Sequence, residues 1–149
     1  MTHRKFPLAT LAASCAMITA CGDSPAEQEA DRMEEQMEMK ADQSAAAAGM
    51  EEAALGLTET QLLDADLLTT EGTDLGEVEM VRRGGDGAVT GLVVELEGTD
   101  PDRWVEVPMD GLTPVTNGDD MDIQTSMTAE ELAALPDADM SAMTAEVAL

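Results

Sequence analysis

The chain has 149 residues, of which 32 are acidic and seven basic, so its formal net charge is −25. This charge repels phosphate backbones and anionic head groups, which argues against binding to nucleic acids or docking on acidic lipid through surface charge. The length suits one small domain with an additional segment.

The first twenty residues have the layout of a secretory signal peptide. Arg4 and Lys5 precede an apolar run from Phe6 to Met17, and small residues follow before a cysteine. The run is too short for a membrane-spanning helix, and acidic residues follow soon after it. We therefore expect residues 1–20 to be removed from the mature protein.

The end of this segment, residues 18–21 (ITAC), resembles the lipobox of bacterial lipoproteins. The resemblance implies that Cys21 becomes the first mature residue and carries acyl chains that anchor it to a membrane. Cys15 fits less well because Ala12 stands where a lipobox has a large aliphatic residue. The alternative is a soluble periplasmic protein with a free Cys21 thiol. Because Gly22 rather than aspartate follows the cysteine, the resemblance favours the periplasmic face of the outer membrane.

Processing at Cys21 would remove most of the side chains that catalysis needs. The single histidine, His3, and Cys15 lie in the discarded segment, and the sequence has no tyrosine. Triads that depend on imidazole, and zinc or copper sites built on histidine or thiolate, then have no ligands. We expect a protein that is not an enzyme and has no catalytic residue, cofactor, metal ligand or disulfide.

Residues 21–61 form an acidic segment rich in Ala, Glu and Met, which we interpret as a flexible, partly helical tether. Its apolar positions form no broad stripe, and like charges such as Glu34 and Glu38 stand at i,i+4 spacing. Met33, Met37 and Met39 carry thioethers of the kind that binds copper(I), although a role as helix-forming filler explains them better.

After residue 61 short β-prone runs alternate with glycine-rich turns, a pattern typical of small all-β domains. In residues 76–80 (GEVEM), alternation predicts that Val78 and Met80 point inward while the glutamates face water. The buried positions expected farther along are Leu92, Val94, Leu96, Val105, Val107, Met121 and Ile123, with Val93 half covered.

The stretch TAEELAALP predicts a short, well-capped helix. Thr128 and Glu131 have the spacing of a capping box, in which each side chain bonds the backbone N–H of the other residue. Leu132 and Leu135 share one side of this helix, and Pro136 ends it. We expect the helix to cover an open end of the β domain.

Residues 62–136 resemble a PRC-barrel domain through four stretches in order: EGTDLGEVEMV, GDGAVTGLVVELEG, WVEVPMDGLTPV and MTAEELAALP. The resemblance implies a mainly β fold, a small β-barrel with a short C-terminal capping helix. It also implies a module for protein interaction or assembly with no catalytic motif. Residues 137–149 are expected to form a flexible tail.

Two groups of residues are candidate protein contacts. Trp104 alternates with the inward-facing Val105, so it either forms an exposed anchor beside Arg103 or covers an end of the barrel. Arg82 and Arg83 form the basic pair of the mature chain, and they either neutralise nearby acids or form part of a contact site.

A calcium loop is a weaker reading of the C-terminal acids. Asp120, Asp122 and Glu131 fall at its first, third and twelfth positions, but Thr125 stands where the loop needs glycine. A strand that leads into a capped helix explains the same residues.

The leading hypothesis is a lipid-anchored, non-enzymatic protein of a bacterial envelope that presents a small acidic PRC-barrel for contact with an unidentified protein partner. The membrane is contacted through Cys21, and nucleic acid is not a partner. The alternative is a periplasmic protein that binds or sequesters cations through its acidic and methionine side chains.

Overall fold

The computed structural model describes residues 24–140. The signal segment 1–20, Cys21 and the part of the tail from residue 141 lie outside the described residues. What the sequence predicts for these segments therefore stays a prediction.

In residues 24–140 one long helix comes first, and eight strands and two short helices follow it. In chain order they are α1 (Pro25–Ala48), β1 (Glu52–Ala54), β2 (Leu57–Thr58), α2 (Glu59–Leu63), β3 (Asp66–Thr69), β4 (Asp74–Arg83), β5 (Val89–Leu96), β6 (Trp104–Pro108), β7 (Thr113–Asn117), β8 (Asp120–Thr125) and α3 (Ala129–Ala133). None of these helices is long and apolar enough to cross a membrane.

Six strands form one mixed sheet in the order β6-β5-β4-β3-β8-β7, and β1 pairs with β2 in a separate hairpin. The pair β3–β8 is parallel and the other pairs of the large sheet are antiparallel. The mainly β prediction is therefore confirmed. The closed barrel is not, because β6 and β7 are the outer strands of this sheet.

The outer edge of β6 is covered by the chain that follows α3, which explains why this edge does not meet β7. Val105 bridges Asp137, and the Ala138 N–H donates to the Trp104 carbonyl at 2.9 Å. At the other edge, β7 is largely exposed and contains Pro114, which lacks an N–H for pairing. Residues 137–140 thus lie against the sheet rather than forming a free tail.

The N-terminal segment, predicted to be a flexible, partly helical tether, is helical over residues 25–48 and packs on the sheet. They form one continuous helix that begins with a capping box between Ser24 and Glu27. Its buried residues, Ala30, Met37 and Ala41, recur on one side. Most of the stability of a helix in a protein comes from packing of its apolar side, so the contact of this side with the sheet is what holds α1 in place.

A bulge in β4 determines which side chains share a face of the sheet. The register steps from Val78 opposite Val94 to Met80 opposite Val93, which leaves Glu79 as an extra residue. Val78 therefore joins the main core while Met80 lies on the opposite face. The predicted alternation, with Val78 and Met80 on one face, is wrong because the extra residue reverses it.

The main core lies on the inner face of the sheet and is aliphatic. Its central residues, which are all fully or almost fully buried, are Leu62, Leu67, Val78, Leu92, Val94, Val105, Val107, Ile123 and Leu132. Leu132 comes from α3, whose predicted capping box is confirmed. The Glu131 N–H donates to Thr128 Oγ1 at 3.2 Å, and the Thr128 N–H donates to Glu131 Oε2 at 2.9 Å.

Gly76 is required where β4 passes close to β5. Its φ is +150°, and a Cβ atom at this position would lie 1.8 Å from the Glu95 carbonyl oxygen. Gly76→Ala is therefore expected to lower the free energy of unfolding by about 3 kcal/mol or more, since the backbone itself would have to move. Urea unfolding monitored by circular dichroism measures this loss.

Gly85→Ala is the matched control, because a Cβ atom at Gly85 meets nothing within 4 Å and its φ is not positive. We expect this variant to change stability by less than about 0.5 kcal/mol. Equal stability of the two variants would contradict the close approach at Gly76.

Candidate functional site

The second face of the sheet carries a small apolar centre, which we call the helix-covered face and define by Met80, Val93 and Trp104. Helix α1 places Ala30 and Met37 on it, forming a cluster separate from the main core. All five side chains are at least nine-tenths buried. Val93, predicted to be half covered, is fully buried because α1 lies over it.

Trp104 is not the exposed anchor that its sequence position permits. It is 5% exposed, and its indole N–H donates to Glu95 Oε2 at 3.2 Å. Glu95 lies directly across from Trp104 in the β5–β6 register. The tryptophan thus forms part of the surface on which α1 packs. Its fluorescence is therefore a suitable signal for the docking of that helix.

Arg103 and Arg82 both hold the C-terminal strand-like segment that follows α3. Arg103 Nε lies 2.6 Å from Asp137 Oδ1, and its two terminal nitrogens donate to the carbonyls of Ala133 and Leu135. One terminal nitrogen of Arg82 donates to the Asp139 carbonyl. Both guanidinium groups therefore bind within the domain.

Arg82 also faces Glu106 on the neighbouring part of the sheet. Its Nε lies 3.5 Å from Glu106 Oε2, an ion pair without hydrogen-bond geometry. The interpretation in which Arg82 and Arg83 neutralise nearby acids agrees with this ion pair at Arg82 and with an ion pair between Arg83 and Glu59. A role of these arginines in partner contact stays a prediction.

Arg83, whose side chain is one-third exposed, forms an ion pair with the buried Glu59 of α2. Arg83 Nη2 lies 2.5 Å from Glu59 Oε2, and Nη1 donates to the Gly87 carbonyl at 2.9 Å. The Glu59 side chain is 1% exposed. A carboxylate this deeply buried is tolerated because a cation is bound to it.

Removing the arginine tests how much this pair matters. Arg83→Met is expected to lower the free energy of unfolding by about 3 kcal/mol, because it leaves Glu59 buried without its cation. Glu59→Leu combined with Arg83→Met should restore most of the loss, since no buried charge remains. Chemical denaturation of the unaltered chain, the two single variants Arg83→Met and Glu59→Leu, and the double variant measures these values. An additive effect of the two substitutions would contradict the pairing.

Carboxylates border the helix-covered face on both sides of the contact with α1. Burial, followed by the charges of Glu95, Glu34 and Glu38, raises the pKa of Glu79 from its ordinary 4.5 to about 7. Burial, followed by neighbouring carboxylates, also raises the pKa of Glu95 and of Glu34. Glu77 lies directly opposite Glu95 in the sheet. Helix and sheet therefore present like charges to each other.

The surroundings of Glu79 are predominantly acidic. Beside it, a cleft of about 450 Å³ lies between α1, the end of α2 and the start of β3. The charged residues that line this cleft or raise the pKa of Glu79 are Glu34, Glu38, Asp42, Asp64, Asp66, Glu77 and Glu95, and Lys40 stands between Glu38 and Asp42 on α1. Burial and nearby carboxylates raise the pKa of Asp66 as well.

This arrangement predicts that α1 docks more tightly in acid. The docked pKa of Glu79 lies above its ordinary value, so its contribution is complete below pH 4.5 and is lost as the pH rises through about 7. Glu79→Gln should raise the free energy of unfolding at pH 8 by about 1 kcal/mol, because a partly solvated carboxyl contributes less than its full shift. Trp104 fluorescence during urea unfolding at pH 5.5, 7 and 8 measures this effect.

Glu71→Gln, in an exposed turn, is the control and should leave the pH profile unchanged. A Glu79→Gln protein whose stability falls between pH 5.5 and 8 as steeply as that of the unaltered chain would contradict the role of Glu79.

An apolar groove of about 590 Å³ opens at the end of the helix-covered face. Met33 of α1 forms one wall, and Met140 and Ala138 form part of the other, with Trp104 and Pro101 between them. Ala138 and Met140 also pack on the helix-covered face, so groove and face are continuous. Its charged lining residues are Asp100, Asp102, Arg103 and Asp137.

Three carboxylates meet beside this groove. Asp31, Glu34 and Asp102 each place one oxygen within 4.8 Å of the other two. Calcium binds about six to eight oxygen ligands, so these three oxygens would supply at most half of them. Exposed acidic groups also commonly lie together without an ion.

The structure does not support the other two metal-site hypotheses, the copper site of three methionines and the calcium loop. Met37 is buried whereas Met33 and Met39 are 38% and 61% exposed, so the three thioethers do not converge. Asp122 is buried in β8, where it accepts from Asn117 Nδ2 at 2.8 Å. Glu131 caps α3. The calcium-loop reading is therefore wrong.

Comparison with known proteins adds no assignment: the chain matches no protein-family model, and no curated protein is similar to it. Its class is defined by its own geometry. It is a small, mainly β domain in which an amphipathic helix covers one sheet face and an apolar groove opens between acidic side chains.

The residues of α1 that pack on the helix-covered face, Ala30 and Met37, were not predicted from the sequence. The signal was present as a narrow stripe at spacings of three and four residues: Ala30, Glu34, Met37, Ala41, Ala45 and Ala48. It was weak because most of these side chains are single methyl groups and one is charged. The bulge that exposes Met80 to this helix has no signal in the strand pattern.

Proposed function

We propose that the chain is a lipid-anchored, non-enzymatic protein of a bacterial envelope that presents a small acidic PRC-barrel-like domain for contact with other proteins. Acyl chains on Cys21 would hold it on the periplasmic face of the outer membrane. Because α1 begins at Pro25, the folded domain would follow the anchor after a few residues rather than at the end of a long coil.

The sequence resemblance and the coarse architecture support the PRC-type assignment. Residues 62–136 contain all six strands of the large sheet and a short helix that packs on its core, as that family implies. The departure from a closed barrel is that the outer strands β6 and β7 do not pair with each other.

The observation that carries the contact function is the apolar groove beside Trp104. Methionine, proline and alanine side chains reach the surface there in a chain that is otherwise strongly acidic. Apolar surface bordered by charge is typical of sites that bind a protein side chain.

The anchor is tested by replacing the candidate lipid-bearing residue. Cys21→Ser is expected to abolish acyl labelling and to move the protein from the membrane fraction to the soluble fraction, whereas Cys15→Ser changes neither. Mass spectrometry of the N-terminal peptide identifies the modification. A native protein that retains Met1, or that has an unmodified Cys21 thiol, would contradict the proposal.

The contact function is tested by placing a photo-crosslinking residue at Pro101, which is exposed and lines the groove, or at Pro114, which is exposed on β7 and does not line it. In intact cells we expect a discrete adduct from position 101 alone. The same pattern from both positions would indicate random collisions and would overturn the assignment of the groove.

The alternative, a cation-binding protein, is favoured by the cluster of Asp31, Glu34 and Asp102. It requires tight stoichiometric binding of a divalent cation by calorimetry at physiological salt, lost in Asp102→Asn. The proposed contact function expects only weak, non-stoichiometric binding, because exposed carboxylates are screened at this ionic strength.

A further inference from the structure

The helix-covered face has a centre and a border of different chemistry. Its centre, Met80, Val93 and Trp104, is apolar and nine-tenths or more buried beneath α1. Its border on the strands is acidic, with Glu79 at the bulge and Glu95 beside Trp104. An occupant that suits the whole face needs an apolar stripe flanked by positive charge.

Helix α1 matches the centre of this face but not its border. It supplies an apolar stripe through Ala30, Met37 and Ala41. Glu34 lies within the same stripe and Glu38 follows Met37, and both carboxylates raise the pKa of Glu79 across the interface. The helix therefore docks against repulsion that an otherwise similar helix with basic residues would not meet.

We propose that the helix-covered face is a binding surface for an amphipathic helix of a partner protein that carries lysine or arginine where α1 carries Glu34 and Glu38. In this view α1 is the intramolecular occupant that the partner helix displaces. The inference deepens the proposed function by stating the chemistry of the partner, and it rests on that function in requiring that the domain acts through protein contact.

A helix is the occupant that the geometry accepts. The face already receives a helix of 24 residues, about 36 Å long, through side chains that recur every three or four positions. Long basic side chains can pack their methylene stems on Met80 while their charged ends reach the bordering carboxylates. Charge complementarity with a chain of net charge −25 also accelerates the encounter.

Displacement of α1 does not require the rest of the domain to unfold. The main core lies on the inner face and has no buried member from α1. Only residues 49–51 separate α1 from β1; Gly49 has a φ of +64°, and Met50 is 91% exposed. This short link keeps α1 at high local concentration, so a competitor must bind the face substantially better than α1 does.

Three peptides test the inference. The first has the sequence of residues 24–49, the second carries Glu34→Lys and Glu38→Lys, and the third carries Glu29→Lys and Glu35→Lys. The last two have equal net charge, but Glu29 and Glu35, unlike Glu34 and Glu38, are not among the carboxylates that raise the pKa of Glu79. Each peptide carries a dansyl group, which accepts energy from Trp104, the single tryptophan of the chain.

The peptides are titrated into the full chain with Met37→Asp, which loosens its own α1, at pH 7.5. We expect the peptide with lysine at 34 and 38 to bind at least about tenfold tighter than the peptide with lysine at 29 and 35, and the difference to shrink in 1 M salt. Circular dichroism establishes that the sheet of the Met37→Asp chain is folded. Equal affinities, or binding by neither peptide, would overturn the inference.

A second measurement covers the case in which Met37→Asp prevents folding. The same pairs of lysine substitutions are placed in the otherwise unaltered full chain. Glu34→Lys with Glu38→Lys should raise the thermal midpoint at pH 8 by several degrees more than Glu29→Lys with Glu35→Lys. Equal midpoints would show that the face does not prefer a basic helix. Neither measurement involves the membrane anchor, so failure here leaves the Cys21 test unaffected.

Discussion

The extra residue in β4, Glu79, determines how the sheet divides its apolar side chains between two faces. Strand side chains alternate, so one added residue reverses the faces of everything beyond it. Val78 consequently packs in the main core, while Met80 joins Val93 and Trp104 on the other side. Without this reversal the second face would lack Met80, and α1 would have little to pack against.

The same bulge explains why the contact between helix and sheet is electrostatically poor. Glu79 belongs to neither regular face and is left partly buried beside the carboxylates of α1. Apolar burial by Met37 and the alanines of α1 outweighs this repulsion in the docked state. An interface with opposing contributions of this kind changes its strength readily with pH and salt. It therefore differs from the main core, which is aliphatic.

Three arginines, Arg82, Arg83 and Arg103, leave the negative charge at this interface uncompensated because they bind elsewhere in the domain. Arg83 neutralises the buried Glu59, and Arg82 and Arg103 hold the segment that follows α3 against β6. These side chains thus form their contacts with Glu59 and with the C-terminal segment, and not with the carboxylates beside α1. The border of the helix-covered face is left to carboxylates, which is why a basic partner suits it best.

Local patterns in the sequence were sufficient for most strands of the large sheet and for α3, but not for β1, β2 and α2, which begin within the segment predicted to be a tether. The capping box of Thr128 and Glu131 depends on residues three positions apart, and the buried runs around Val94 and Val105 follow strand alternation. These features depend on neighbours along the chain, so the sequence by itself determined them, together with the mainly β class.

Tertiary contacts alone decided the docking of α1, the reversal at Glu79 and the burial of Trp104. Each depends on residues far apart in the chain: Met37 and Val93 belong to one buried cluster, and the outer edge of β6 is covered by residues 137–138. A stripe of alanines acquires stabilising value only when a complementary face exists, and that face arises from a bulge that no local pattern marks. For this physical reason a segment that reads as a loose acidic spacer in sequence is part of the folded domain.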